Sequence, residues 1–256
     1  MAIKINMKSL NQYIKEKLII NQRFDEKLII NKDYRDNTIV VKSFDELRKI
    51  IKYRYKKLGP GTKENPINFN DIDVSNIDSF YNHNKGIGIF QKINFNYIDI
   101  SDWNVSNVKT MNCMFAFCDK LKSVGDISYW DVSNVTNMYC MFVDCKFFNQ
   151  DISNWDVSKV SNISWMFCSC ESFNQNISSW NVSKVTDMSG MFEGCKKFNQ
   201  DISSWNVSSV KNMSNMFECC ESFNQDLSDW DVSNVRKHLS MFDYCPIKEE
   251  YKPKFK

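Results

Sequence analysis

Residues 152–226 read ISNWDVSKVSNISWMFCSCESFNQN, then ISSWNVSKVTDMSGMFEGCKKFNQD, then ISSWNVSSVKNMSNMFECCESFNQD, three copies of one 25-residue unit end to end. Self-similarity of this kind decides the fold before any local reading does. Outward from there the unit's tryptophan recurs at Trp103, Trp130, Trp155, Trp180, Trp205 and Trp230, always 25 apart except for 27 between the first two, where Leu121–Asp126 is longer. Six intact units result. A degenerate seventh precedes them in DIDVSNIDSF, 71–80, with Ile72 in the tryptophan's place.

Within a unit the apolar period changes. Ile152, Trp155 and Val157 are spaced by three and two, as in a short strand, and Val160, Ile163, Met166, Phe167, Cys170 and Phe173 then follow at helical intervals. The pattern predicts a short strand turning into a short helix. Ser158, like Ser106, Ser133, Ser183, Ser208 and Ser233, stands at the junction, where a helix N-cap is wanted. The Asn-Gln pairs that open at Asn149, Asn174, Asn199 and Asn224 suit a return turn, their side-chain amides serving backbone groups.

One such unit cannot bury its own apolar stripe, so neighbours must stack and share a core. The expected fold class is an α/β solenoid, a leucine-rich-repeat-like stack of strand-plus-short-helix units with an N-terminal helical cap. Parallel strands would line the concave side and helices the back. Three ladders carry the core: Trp103, Trp130, Trp155, Trp180, Trp205 and Trp230; Phe115, Phe142, Phe167, Phe192, Phe217 and Phe242; Cys118, Cys145, Cys170, Cys195, Cys220 and Cys245.

The remaining chain divides as a basic head at 1–36, a cap at 37–66 with a helix over 43–58, the repeats at 67–247 and a basic tail at 248–256. Ser43 and Glu46 form a capping box, Leu47, Ile50, Ile51 and Tyr55 one apolar face, and Gly59-Pro60-Gly61 the stop. The head contains a tandem, EKLIINQRFD and EKLIINKDYR, that reads as a short hairpin or a flexible segment.

The formal charge of +2 conceals an asymmetry, because residues 1–65 carry 16 basic and 8 acidic side chains and residues 66–247 carry 13 and 21. A net-acidic body is a poor partner for phosphate backbones, so no nucleic-acid partner is expected. No apolar run reaches the length of a membrane span, and the first residues hold none of secretory length.

Ten cysteines and two histidines limit the chemistry. Six cysteines are one repeat position seen six times, which reads as core packing, and on a helix Cys113 and Cys118, or Cys140 and Cys145, would point apart. No C-x-x-C pairs with another at zinc spacing, so no metal and no cofactor is expected. Cys113, Cys140 and Cys219 lie off the ladder and are the thiols whose exposure matters. His83 and His238 are isolated, with no serine and acid constellation around them. GPGTK at 59–63 lacks the phosphate-loop spacing and follows a helix. No catalytic residues are expected.

Neighbours of each Trp in a strand point away from the core. They are Asp102, Asn104, Tyr129, Asp131, Asn154, Asp156, Ser179, Asn181, Ser204, Asn206, Asp229 and Asp231, a polar, mildly acidic strip that is the candidate protein-binding surface. Trp165 replaces the small residues of other units and is a candidate contact anchor.

The units WDVSNVTNMYCMFVDCKFFNQDIS and WNVSSVKNMSNMFECCESFNQDLS resemble the BspA-type leucine-rich repeat, also called the DUF285 or Mycoplasma-lipoprotein-type repeat, over about 68–245. That resemblance implies a noncatalytic surface or extracellular protein that adheres to a protein partner. The segment SFDELRKIIKYRYKKLG is similar to the helix preceding the first repeat in such proteins. The alternative expectation is an intracellular or particle-associated scaffold in the cytoplasm, since no export signal is visible.

Overall fold

In a computed structural model, residues 38–255 and the backbone of 32–33 are described; apart from 32–33, the tandem of the head lies outside them. The helix α1 (Phe44–Leu58) starts at Ser43, whose Oγ accepts from the Glu46 amide at 3.2 Å, and the Glu46 carboxylate accepts from the Lys42 amide at 2.9 Å. It stops at Gly59, which has φ 75°. Leu47, Ile50 and Ile51 are buried, and Tyr55 meets Phe95 edge-on.

Short strands surround this helix. β1 (Lys32–Asp33) pairs antiparallel with β2 (Thr38–Val40), which runs parallel to β4 (Ile72–Asp73). β3 (Ile67–Asn68) pairs with β7 (Ile98–Asp99) in parallel, and β5 (Tyr81–Asn82) with β6 (Ile87–Gly88) as a hairpin.

From there to the tail, successive units lie side by side through single parallel bridges: Ser79 to Thr110, then Asn137, Asn162, Asp187, Asn212 and Lys237. Alternate amides beyond each bridge donate to carbonyls of the following unit. Met138, Cys140, Phe142 and Asp144, for instance, donate to Asn162, Ser164, Met166 and Cys168 at 2.8–3.0 Å. One bond runs back, as from Ser161 to the Thr136 carbonyl at 2.9 Å.

The expected strand-plus-helix unit is corrected here. The tryptophan segment is a pair of turns, with Trp155 N donating to Ile152 O and Val160 N to Val157 O, and the bridge at Asn162 falls beyond both. No helix follows: α1 is the sole α-helix among the described residues. The helical-looking apolar spacing comes from turns whose i→i+3 bonds link Ile163 to Met166, Trp165 to Cys168 and Phe167 to Cys170. Trp165 and Ser169 have φ 58° and 59°, and every later unit repeats two such left-handed residues, which a right-handed helix cannot contain.

The side-chain ladders do form. Phe115, Phe142, Phe167, Phe192, Phe217 and Phe242 stack 5.4–6.0 Å apart, and Phe148, Phe173, Phe198 and Phe223 make a parallel column beside them. All six tryptophans are buried. The indole N–H of Trp155, Trp180, Trp205 and Trp230 donates to an isoleucine carbonyl of the preceding unit at 2.9–3.2 Å. Trp130 Nε1 has no partner among the described residues, the local consequence of the two extra residues that shift its unit against the one before.

Candidate protein-binding strip

The strip owes its shape to turns. Asn104, Asp131, Asp156, Asn181, Asn206 and Asp231 each use Oδ1 to accept the amide of the serine two residues on, at 3.0–3.2 Å. Ser106, Ser133, Ser158, Ser183, Ser208 and Ser233 therefore donate a turn-closing bond from their amides and cap no helix. All twelve strip residues are exposed, Tyr129 at 86%. Two of the others are tied along the row, Ser179 Oγ donating to Ser153 O at 3.0 Å and Ser204 Oγ to Ser178 O at 3.4 Å.

A second acidic row flanks it, with Asp126, Asp151, Asp201 and Asp226 accepting from Ser128, Ser153, Ser203 and Ser228 at 2.9–3.0 Å. These serine bonds hold the four carboxyls, and that of Asp156, below the ordinary carboxylate value of 3.8. A depressed folded-state value means that stabilisation is complete above the unfolded value and fades as pH falls through the folded one. Acid titration followed by circular dichroism should thus show stability declining only below the ordinary carboxylate range. Replacing the four aspartates by Asn, as the chain itself does at Asn176, should flatten that decline; an unchanged acid limb would remove the serine bonds as its source.

Trp165 is half-buried and lies on the neighbouring unit, where a Cβ built on Gly190 would come within 2.5 Å of its Cε3. The glycine makes room for the indole, so this tryptophan is a packing element and does not project as an anchor. Gly190 also has φ 58°. Gly190→Ala should cost roughly 2–3 kcal/mol, about half from steric overlap and half from the left-handed backbone. In a Trp165→Ser background only the second half should remain. A double-mutant cycle in urea checks this, and equal costs in both backgrounds would contradict it.

The Asn-Gln pairs serve the backbone across units, as expected from their composition. The amides of Asn199 and Asn224 donate to Asn174 Oδ1 and Asn199 Oδ1 at 3.0 Å, while Gln200 and Gln225 donate to the Asn174 and Asn199 carbonyls at 3.1 Å. Lys248 N continues that row on Asn224 Oδ1, which fastens the tail to the last unit.

The repeated cysteines are more than filler. Cys118, Cys145, Cys170, Cys195 and Cys220 each aim a buried thiol at a phenylalanine carbonyl of the preceding unit, 2.9–3.3 Å away. Burial pushes the Cys118 thiol up to about 12 and the next four well above the ordinary value. Cys219 is exposed, Cys140 half-buried and Cys113 buried. His83 packs edge-on against Tyr81, and His238 stacks on Phe255 at 4.0 Å. Grooves of 300 and 600 Å³ lie beside these histidines, at opposite ends of the repeats.

Arg48 went unnoticed in the sequence. It is 8% exposed, and its guanidinium donates to the carbonyls of Gly88, Ile89 and Gln91 at 2.5, 2.5 and 3.0 Å. Its place among apolar helix positions was the available signal.

Among the described residues no helix is long and apolar enough to cross a membrane. A family model described as "Mycoplasma protein of unknown function, DUF285" matches residues 85–185 and 148–252. No curated protein and no solved structure matches.

Proposed function

The chain belongs to the DUF285 family, and from that premise we propose that it is a noncatalytic protein-binding module, a BspA-type leucine-rich solenoid acting in adhesion at a cell surface. The observation that carries the reading is the strip itself: twelve exposed side chains recurring with the repeat, six of which are set in place by turns that they close. A periodic, pre-organised row of this kind loses little conformational entropy on meeting an extended partner surface.

The test follows from the turn chemistry. Asp131, Asp156 and Asp231 close turns, so truncation to Ala would disturb the backbone, whereas Asn keeps the acceptor and removes the charge, as Asn104, Asn181 and Asn206 already do. The triple Asn variant combined with Tyr129→Ala should keep its melting temperature and lose protein partners in pull-downs from the chain's own and from host lysates. Undiminished capture of the same partners would move the binding surface elsewhere.

A second reading is favoured by the ten free cysteines, a complement typical of reducing compartments. In that reading the chain is an intracellular or particle-associated scaffold. Fractionation of the native source separates the two, since a wholly cytosolic pool excludes surface adhesion.

A further inference from the structure

Cys113 and Cys140 occupy the same place in adjacent units. The amides of Cys113 and Phe115 donate to Tyr139 O and Met141 O, both at 2.9 Å, a parallel register that sets Cys113 directly opposite Cys140. Opposed residues of parallel neighbours lie about 4.8 Å apart, inside the Cα window of about 4.4–6.8 Å that a disulfide spans. Both residues have left-handed backbones, with φ 52° and 54°, so their Cβ vectors leave the two units alike. In the following units that place is taken by Trp165, Gly190, Asn215 and Ser240, which confines a cysteine pair to this one junction.

The two side chains perturb one another: Cys140 holds the Cys113 thiol below its ordinary value, and Cys113 pushes that of Cys140 upward. The neighbouring phenol of Tyr139 is pushed up to about 12 by Cys140. The ladder thiols from Cys118 to Cys220, by contrast, are buried and committed to carbonyls.

We propose that Cys113 and Cys140 form a modification site, closing to a disulfide between adjacent units by exchange with a low-molecular-weight disulfide. The pair gives up one proton, and transfer of the remaining proton between the two sulfurs lets the charge reach Cys140, the less buried residue of the two. Cys140 Sγ attacks one sulfur of the reagent, its S–S bond breaks, and one thiolate departs and takes up a proton. Cys113 Sγ then attacks Cys140 Sγ and displaces the second thiolate, which takes the proton that Cys113 gives up. Two protein thiols and one small disulfide become one protein disulfide and two small thiols; the protein is oxidised by two electrons and the reagent reduced by two.

The test uses the folded full-length chain and oxidised glutathione, followed by alkylation, digestion without reduction and fragment-ion sequencing, which separates Cys113 from Cys118 and Cys140 from Cys145. The expected product is a Cys113–Cys140 link, with Cys118 and Cys145 recovered as thiols. In Cys113→Ser, Cys140 should keep the glutathione adduct, having no second thiol to displace it. Recovery of Cys113 and Cys140 as unmodified thiols, a link through Cys118 or Cys145, or a stable adduct on Cys140 of the unaltered chain would each overturn the proposal.

Discussion

Arg48→Met is expected to lower the unfolding free energy by roughly 3–5 kcal/mol, because two buried carbonyls and one partly buried would lose charge-assisted hydrogen bonds at once. The reason lies in the polarity of the junctions. Each unit passes amide hydrogens forward: Phe90 and Lys92 donate to Met114 O and Ala116 O at 2.9 and 3.0 Å. The carbonyls of Ile89 and Gln91 stand one unit earlier in the same register, where no preceding unit supplies donors. Arg48 supplies them from α1. Its planar fork can serve three carbonyls, which the point charge of a lysine cannot, so Arg48→Lys should recover less than half of the loss. Equilibrium urea unfolding measures both, and a loss under about 1 kcal/mol for the Met variant would mean that solvent reaches those carbonyls.

The opposite end follows from the same polarity. The amides of His238, Ser240, Phe242 and Tyr244 correspond to those of Met213, Asn215, Phe217 and Cys219, which donate to the last unit. No further unit follows among the described residues, and these four positions are exposed or half-buried, where water can accept from them. The tail covers part of this end: Leu227 N donates to Tyr251 O at 2.8 Å, and Ile247 and Pro253 are buried.

What the sequence made legible were the features that identical side chains report by recurring. Tryptophan at a 25-residue spacing located the core column, and Asn174 and Asn199 at the same spacing located a polar ladder, because like residues meet when units stack. Local conformation was not legible. Val160, Ile163, Met166, Phe167 and Cys170 fit a helical face, yet a chain of turns puts apolar residues at the same intervals when its alternate amides are spent on the next unit. Two left-handed residues per unit would have revealed the turns had they been glycine or asparagine, but only Gly190, Gly194 and Asn215 are. Serine after Asp or Asn was ambiguous for a related reason, since the pair can cap a helix or close a turn, and only the bonding partner decides. The strip residues are exposed, and turns, not strand alternation, place them there. Trp165 misled because its meaning depends on Gly190, one unit away. The position of Arg48 among apolar helix residues was a signal, but its partners could not be read, since the carbonyls it serves are about 40 residues distant and carry no side-chain signature.

Trp180→Ala should cost about 3–5 kcal/mol, the other large loss available to a single substitution. The indole is buried at 3% exposure, packs against Phe167 at 6.3 Å and donates to Ile152 O at 3.1 Å. Its removal opens a cavity between two units and leaves a buried carbonyl without its donor. Because each unit touches only its neighbours, the damage falls on two junctions in the middle and divides the stack into halves. Trp130 provides the comparison. It is buried at 5% exposure and stacks on Trp155 at 6.3 Å, but its Nε1 has no acceptor, so Trp130→Ala gives up packing alone. The difference between the two substitutions should be about 1 kcal/mol, the net worth of one hydrogen bond with its acceptor left buried. Urea midpoints at constant m-value measure it. Equal losses at the two positions would show that the indole bond adds nothing to ring burial; a loss near zero at Trp180 would place the column outside the core.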